Sequence, residues 1–302
     1  GAGKSLLAQA VMGALPKELK ATGAVLLDGE RLDNLPSRTR QALWGRRLAM
    51  LPQEPWRALD PLMAAASQVA EVHALLGKTP WDRARDLARE TLGRLKLDGR
   101  AGAALPGTLS GGMAQRVAFA AATAGGARVL LADEPTKGLD EARRDELVRL
   151  LSDFVAEGGI LVTITHDIAV ARALGGNAMI LREGEVVESG PAEAVLSAPQ
   201  SDYGRELVAA DPAAWPQPEG VATSGDSVLR AEALSVARGQ RLLCADIGFE
   251  LPAGGRLAIT GPSGLGKTSL LDTLAGLIPP ASGRVERLAG ARAPFGLQKL
   301  YQ

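Results

Sequence analysis

A glycine-rich segment late in the chain carries the clearest chemical signal in the sequence. Residues 261–268 read Gly-Pro-Ser-Gly-Leu-Gly-Lys-Thr and lie between a predicted strand and a predicted helix. Glycines at this spacing let successive backbone N–H groups converge on phosphate oxygens, and the following helix N-terminus adds the positive end of its dipole. We therefore predict that a nucleoside triphosphate binds to Gly261, Pro262, Ser263, Gly264, Leu265, Gly266, Lys267, Thr268 and Ser269.

The end of the same pattern opens the chain. Residues 1–5 are Gly1, Ala2, Gly3, Lys4 and Ser5, and Lys4 precedes Lys267 by 263 positions. In each copy we expect the lysine to reach the β- and γ-phosphates and the next hydroxyl, of Ser5 or Thr268, to bind Mg²⁺. A glycine-rich turn that only caps a helix is the alternative. The recurrence favours phosphate binding and indicates a duplication on the scale of a domain.

An acidic pair follows the apolar run 129–132. Asp133 and Glu134 thus fall at the carboxyl end of a predicted buried strand, where open α/β sheets bind their ligands. We predict that Asp133 holds Mg²⁺ and that Glu134 orients or deprotonates an attacking water. An acidic turn without chemistry is the alternative. The phosphate-binding lysine in the same domain favours the catalytic interpretation.

Two further polar residues are predicted to follow strands. Gln53 comes after Leu-Pro and before Glu-Pro, and we expect it to contact Mg²⁺ and the water. His166 follows the run 160–165 and is expected to hydrogen-bond the γ-phosphate. A histidine alone at a strand end is usually structural, but the neighbouring motifs favour function here. His73, in a mostly apolar stretch, is interpreted as structural.

A glycine pair precedes an apolar helix predicted over 117–123. A helix N-terminus preceded by Ser-Gly-Gly is a second place where an anion can bind, because the serine hydroxyl and the helix dipole both point to it. The alternative is an N-cap serine followed by turn glycines. The position of this motif, 23 residues before Asp133, favours the anion site, which consists of Ser110, Gly111, Gly112 and Met113.

Alternating helices and strands connect these motifs, which indicates a parallel sheet. Helices are predicted over 5–15, 79–97 and 141–157, and strands over 24–27, 129–132, 160–165 and 256–260. Continuous apolar runs such as 160–164 are typical of strands buried on both faces. Residues 211–227 are rich in Pro, Gly, Ser and Ala and are predicted to be a linker.

Composition limits the remaining function classes. The 302 residues are enough for about two domains, and 34 basic residues balance 34 acidic ones, so no overall field attracts nucleic acid. One cysteine and two histidines exclude a disulfide framework and a multi-cysteine metal site. No apolar run approaches the ~20 residues that a membrane-spanning helix needs. The chain lacks an initiator Met and stops without a helix-end signal, so we interpret both ends as cut.

Together these motifs resemble those of the ATPase subunits of ABC transporters. Their order is the phosphate loop, Gln53, Ser110, Asp133, Glu134, Asp140 in Gly-Leu-Asp, and His166. The resemblance implies ATP and Mg²⁺ as cofactors and two domains facing head to tail, each ATP lying between one phosphate loop and the opposite Ser-Gly-Gly motif. Residues 297–302 parallel residues 48–53, so the resemblance also makes Gln302 an Mg²⁺ contact.

The fold implied by this resemblance is α/β, a P-loop NTPase with a mainly parallel sheet and a helical subdomain. The expected organisation is a first nucleotide-binding domain over 1–210 with its helical subdomain at about 54–125, a linker over 211–227, and the start of a second domain over 228–302. The second copy lacks its own Ser-Gly-Gly motif, acidic pair and histidine. We therefore expect these 302 residues alone to bind nucleotide and hydrolyse it poorly.

A narrower resemblance is to the dipeptide, oligopeptide and nickel importer ATPases. It rests on Pro-Gln-Glu-Pro at 52–55 followed by Leu-Asp-Pro-Leu at 59–62, on Met113 where most such motifs have Gln, and on the segment 198–205. It implies uptake of a small solute through separate membrane permease subunits, an indirect partnership with a periplasmic or extracellular solute-binding protein, and a peripheral location on the cytoplasmic face of the membrane. Arg238 falls near the position where the family has an aromatic residue that stacks on adenine.

Other classes remain as alternatives. Tandem ABC proteins that act on ribosomes are also fused, but a long charged helical linker joins their halves, whereas 211–227 is short and Pro-rich. A regulatory nucleotide-binding module without turnover would not need Glu134 and His166. DNA-repair relatives carry zinc-binding cysteines, which this chain lacks.

Overall fold

The computed structural model describes residues 3–211, 215, 225–261 and 264–287. The chain divides into two compact units, Gly1–Trp215 and Pro216–Gln302, which we describe separately. The predicted linker over 211–227 lies mostly outside the described residues.

Unit 1 is an α/β assembly in which helices connect the strands of a central parallel sheet. The strands described in it are β1 (Leu26–Leu27), β2 (Glu30–Arg31), β3 (Leu48–Leu51), β4 (Val129–Asp133), β5 (Ile160–Ile164), β6 (Asn177–Arg182) and β7 (Glu185–Pro191). The helices described in it are α1 (Lys4–Met12), α2 (Ser37–Gln41), α3 (Ala65–Leu75), α4 (Trp81–Arg94), α5 (Gly99–Ala103), α6 (Gly111–Thr123), α7 (Glu141–Ala156), α8 (Ile168–Leu174), α9 (Ala192–Ser197) and α10 (Asp202–Ala209).

A parallel sheet in the order β3–β4–β5 forms the centre of unit 1. Every residue of β4 is buried, as its continuous apolar sequence predicts. The expectation that β5 is equally buried is wrong, because Ile160 and Val162 are 53% and 44% exposed. Among the described strands β5 lies at the edge of this sheet, so one side of it has no neighbouring strand. The predicted α/β fold with a parallel sheet is confirmed.

Helices cover the sheet through two apolar clusters. On one side α3, α4 and α6 contribute buried small and branched side chains such as Val69, Ala88 and Val117, which pack with Leu130 of β4. Many of the packed residues are Ala, and their small side chains allow these helices to lie close to one another. On the other side Met12 of α1 shares a cluster with residues of β3 and β4. The helices α3 to α6 occupy the span predicted as a helical subdomain.

Two antiparallel hairpins complete unit 1. β1 pairs with β2 through a two-residue turn in which Asp28 and Gly29 both have positive φ, which matches the twist of the strands. The strand predicted over 24–27 is therefore present but limited to Leu26–Leu27. β6 pairs with β7, and α9 and α10 pack beside this second hairpin.

Unit 2 contains a three-stranded antiparallel sheet and one described helix. Its elements are β8 (Ser227–Arg238), β9 (Arg241–Pro252), α11 (Lys267–Ala275) and β10 (Ser282–Arg287), with the strand order β10–β8–β9. Leu270 and Leu274 of α11 share an apolar cluster with residues of β8, which anchors the helix on the sheet. The strand predicted over 256–260 is wrong: among the described residues no strand lies beside this segment to exchange backbone hydrogen bonds with it.

Candidate functional site

The parallel sheet brings three of the predicted site residues to one edge. Its strands pair in register, with Asp133 opposite Ile164, so their carboxyl ends lie at the same level. Gln53, Glu134 and His166 follow the ends of β3, β4 and β5 by one or two residues. Gln53 is exposed. Polar groups that come from distant parts of the sequence therefore meet where ligands bind to open parallel sheets.

Glu134 and His166 contact each other directly. His166 Nδ1 lies 2.6 Å from Glu134 Oε2, so the imidazole and the carboxylate are in direct polar contact. The backbone N–H of Glu134 also donates to the carbonyl of Ile164, at 2.8 Å. The Glu134 side chain is 14% exposed, whereas that of His166 is 68% exposed. The carboxylate is thus held inside the site by a histidine at its solvent side.

Asp133 carries an unpartnered buried oxygen. The residue is 5% exposed, and within the part of the chain that the structure describes no donor reaches its Oδ1 atom. A buried carboxylate oxygen without a partner is costly unless a cation or donor arrives with the ligand. Carboxylate, hydroxyl and amide oxygens are the ligands that Mg²⁺ prefers, together with substrate phosphates. The buried oxygen of Asp133 therefore fits Mg²⁺, and the Ser5 hydroxyl and the Gln53 amide are of the ligand types that could complete such a site.

No all-protein metal cage competes with this interpretation in the described ranges, where groups of three or more His, Cys, Asp or Glu side chains suited to a metal are absent. A site of this kind takes its remaining ligands from water and phosphate, as Mg²⁺ sites commonly do.

The first predicted phosphate loop precedes α1, which packs on the parallel sheet. Met12, at the end of α1, shares an apolar cluster with Leu48 and Val129, the first residues of β3 and β4, and α1 lies against β4. The helix rises about 12 Å from Lys4 to Met12 and β4 rises about 13 Å, so α1 is about as long as the strand that it lies against. Gly3 has φ +80° and Ser5 is exposed at the helix start. Gly1 and Ala2 lie outside the described residues.

The second phosphate loop shows the geometry that its glycines predict. Gly261, Gly264 and Gly266 all have positive φ, which only glycine adopts without strain. Lys267 Nζ donates to the Gly261 carbonyl at 2.6 Å, so the ammonium points back over its own loop. Leu265, Thr268 and Ser269 lie in the loop and first turn of α11, whereas Pro262, Ser263 and Gln302 lie outside the described residues.

The Ser-Gly-Gly motif begins α6. Ser110 is the N-cap, and its Oγ accepts a hydrogen bond from the Met113 N–H at 3.4 Å. Gly111 and Gly112 form the first turn, and a Cβ on Gly112 would lie 3.3 Å from Arg143 Cδ. The hydroxyl proton of Ser110 is left to donate elsewhere, because its oxygen serves as the cap acceptor. The cap and the anion-site interpretations are therefore compatible.

Asp140 caps the next long helix. Its Oδ1 accepts from the Arg143 N–H at 3.0 Å, and the Arg143 side chain forms an ion pair with the same carboxylate at 3.6 Å. The Arg143 side chain is thus close to Gly112 as well as to Asp140.

Sequence reasoning missed one buried polar residue near the site. Gln115 is 1% exposed, and its Nε2 donates to the carbonyl of Pro135, the residue after Glu134. The available signal was an amide side chain among buried residues of α6 that are otherwise apolar.

Comparison with known proteins gives a consistent result. A model of the family described as "ABC transporter" matches residues 1–137 and 244–294. The chain is 32% identical to the peptidoglycan transport ATP-binding protein YejF of Agrobacterium fabrum, over 94% of this chain and 55% of that protein. It is 31% identical to the oligopeptide transport ATP-binding protein OppD of Lactococcus lactis, over 71% of this chain and 64% of that protein.

A solved structure also matches the fold. The dimeric ATP-binding cassette MJ0796 in a post-hydrolysis state, bound to ADP and Pi, superposes with a TM-score of 0.55 at 29% identity, covering 63% of this chain and 81% of that one. The chain spans about half the length of YejF. Among the described helices, none has the length and apolar character needed to span a bilayer.

Proposed function

The chain belongs to the ABC transporter family, and from that premise we propose that it binds and hydrolyses ATP to power transport of a small solute. The observation that supports this most directly is the Glu134–His166 pair next to Asp133, whose buried Oδ1 has no partner among the described residues, in a unit whose helix α1 begins at Lys4 and packs against β4. A carboxylate beside a phosphate-binding helix N-terminus is suited to activating water for attack on a phosphoryl group.

Each polar group has a distinct role in this proposal. Glu134 accepts the proton of the attacking water, and His166 orients the Glu134 carboxylate and approaches the γ-phosphate. Asp133, Ser5 and Gln53 hold Mg²⁺ in the first copy, and Thr268 and Gln302 are the corresponding ligands in the second. When bound, Mg²⁺ neutralises charge on the β- and γ-phosphate oxygens.

We further propose that unit 2 is the start of a second cassette. α1 and α11 are both nine residues long, begin at a lysine, and have a left-handed glycine at each end. The family match in two separate segments of the chain also supports a duplication. In a head-to-tail pair of cassettes, Ser110 of one would contact the ATP held by the other, so that ATP closes the pair and phosphate release opens it.

The proposed cargo is a short peptide or a comparably small solute. YejF and OppD are described as transport proteins for peptidoglycan and oligopeptides, and Met113 and the Pro-Gln-Glu-Pro segment support the same subfamily. The cargo would pass through separate permease subunits after delivery by a solute-binding protein. The ATPase would then sit on the cytoplasmic face of the membrane as a peripheral subunit.

The proposal is tested with the full chain reconstituted with its permease subunits in vesicles. We expect Mg²⁺-dependent phosphate release from ATP and accumulation of a labelled short peptide. Phosphate release without peptide accumulation would overturn the cargo assignment. Absence of both would overturn the assignment as a transport ATPase.

A further inference from the structure

Gln115 is a polar side chain placed where packing alone would favour an apolar one. It is 1% exposed, between Ala114 and the buried Val117 and Ala118 on α6. Burying a primary amide costs free energy unless its groups are hydrogen-bonded. Its Nε2 donates to the Pro135 carbonyl, so this one contact offsets part of the cost and links α6 to the segment after β4.

The segment that Gln115 holds is conformationally unusual. Glu134 has φ +47°, in the left-handed region that a non-glycine residue occupies only when its surroundings enforce it. Two hydrogen bonds flank it: the Glu134 N–H donates to the Ile164 carbonyl at 2.8 Å, and the carbonyl of Pro135 accepts from Gln115. The direction of the Glu134 side chain therefore depends on both neighbours, β5 on one side and α6 on the other.

The same helix carries Ser110 at its start. Ser110 and Gln115 are five residues apart, or about 7.5 Å along the axis, within one continuous helix. A rigid element therefore joins the proposed anion contact to the backbone that orients the proposed catalytic carboxylate. A shift of the helix start would be carried to Pro135 through the side chain of Gln115.

We propose that Gln115 is a positioning residue: it fixes the Glu134 carboxylate through the Pro135 carbonyl and couples it to the Ser110 end of α6. The inference rests on the proposed ATPase function. It identifies a link within one cassette, from the serine that would touch one ATP to the carboxylate that would cleave the other.

The test is Gln115→Met in the full chain, because Met keeps the length and volume of the side chain and removes the donor. We expect kcat for ATP hydrolysis to fall about 10–100-fold while the KM for ATP changes less than about threefold. Gln115→Glu places an oxygen against the Pro135 carbonyl. We expect it to show the same fall in kcat with little change in the KM for ATP. A wild-type kcat in both variants would overturn the proposal.

Gln68→Met is the matched control for losing a buried amide. Gln68 is 9% exposed and donates to the carbonyls of Asp60 and Met63, at 3.1 and 2.8 Å, so its amide holds the segment before α3 rather than the backbone after Glu134. We expect Gln68→Met to lower the midpoint temperature of thermal unfolding about as much as Gln115→Met does, while its kcat stays near that of the wild type. An equal loss of kcat in both variants would show a general packing effect and overturn the positioning role.

A double-mutant cycle separates this inference from the function on which it rests. If Gln115 acts through Glu134, Gln115→Met has no further effect on the residual hydrolysis of Glu134→Gln. Additive losses would overturn the proposal. Wild-type hydrolysis in the Glu134→Gln single variant would instead overturn the catalytic role of Glu134, and with it the proposed function.

Discussion

His166 lies against Glu134 across two neighbouring parallel strands, with 2.6 Å between Nδ1 and Oε2. The contact joins residues that follow β5 and β4, and the in-register pairing of Asp133 with Ile164 sets the two strand ends side by side. A backbone hydrogen bond from Glu134 to Ile164 at 2.8 Å reinforces the same junction. The carboxylate is therefore oriented before any ligand arrives, which is the condition for efficient general-base chemistry.

The first prediction concerns Glu134→Gln, a near-isosteric change that removes the proton acceptor. We expect ATP hydrolysis to fall about 10²–10⁴-fold, or about 3–5 kcal/mol of barrier, while ATP affinity is retained. Phosphate release and equilibrium nucleotide binding on the full chain measure the two quantities. Glu185→Gln, an exposed change at the start of β7, is the matched control. Unchanged turnover in Glu134→Gln would remove Glu134 from its role.

The second prediction concerns His166→Ala. The variant loses the 2.6 Å contact between Nδ1 and the Glu134 carboxylate, and a hydrogen bond to a charged group contributes about 1.5–3 kcal/mol, so we expect hydrolysis to fall at most about 10–100-fold. ATP affinity should change much less, because His166 is 68% exposed and its observed partner is Glu134. His166→Gln, which can still donate, should recover part of the rate. If alanine and glutamine behave alike, the hydrogen bond is not what His166 contributes.

The third prediction concerns Asp133→Asn. The native Oδ1 is buried and has no partner within the described part of the chain. The carboxylate charge therefore destabilises the folded state until a cation binds. We expect the variant to need at least about tenfold more Mg²⁺ for half-maximal hydrolysis, because one anionic ligand is lost. We also expect its thermal stability without nucleotide and metal to be equal or higher. A lower stability without metal would contradict this account of Asp133.

The sequence predicts which edge of the sheet carries the site, but not which side chains contact each other there. Gln53, Glu134 and His166 were expected at strand ends, and the carboxyl ends of parallel strands share one edge, so their proximity follows from topology. The Glu134–His166 contact depends on side-chain directions and on the register of β4 against β5, which no local pattern encodes. The role of Gln115 was missed for the same reason, since its partner Pro135 is 20 residues away.

Two errors have a common physical cause. The run 160–165 was predicted to be a buried strand and the segment 256–260 a short strand, and strands in a sheet depend on their neighbours for hydrogen bonds. The first run forms β5 but lies at the edge of the described sheet, so it is more exposed than expected. The second has no paired strand among the described residues and does not form one. Pattern alone cannot show whether a neighbouring strand is present.

The fourth prediction compares two glycines of the second phosphate loop. Gly264 and Gly266 have φ of +84° and +88°, but a Cβ would meet nothing within 4 Å at Gly264 and would lie 2.7 Å from Leu243 Cβ at Gly266. Alanine at either position carries the left-handed penalty of about 1–2 kcal/mol, and Gly266→Ala adds an overpacking cost of about 1–3 kcal/mol. Chemical denaturation of the two variants measures the difference. Equal destabilisation would show that the Leu243 side chain can move aside without a loss of folding free energy.

The last prediction concerns pH and Asp33, which lies in unit 1 beside the β1–β2 hairpin. The Arg31 guanidinium donates to Asp33 Oδ2 at 2.6 Å and the Val25 N–H donates to Oδ1 at 2.9 Å. These contacts lower the pKa of Asp33 from 3.8 to about 2, chiefly through the hydrogen bond from Arg31. Since the folded state favours the carboxylate, the stabilisation is complete above pH 3.8 and is lost as the pH falls towards about 2.

Asp33→Asn should therefore be less stable than wild type at about pH 6, and the difference should shrink as the pH is lowered through about 3. Thermal unfolding midpoints of both proteins across this range measure it. In an Arg31→Gln background the main cause of the pKa shift is absent, so the effect of Asp33→Asn should vary much less with pH. If the pH dependence persists without Arg31, the Val25 N–H rather than the guanidinium holds the carboxylate in its charged form.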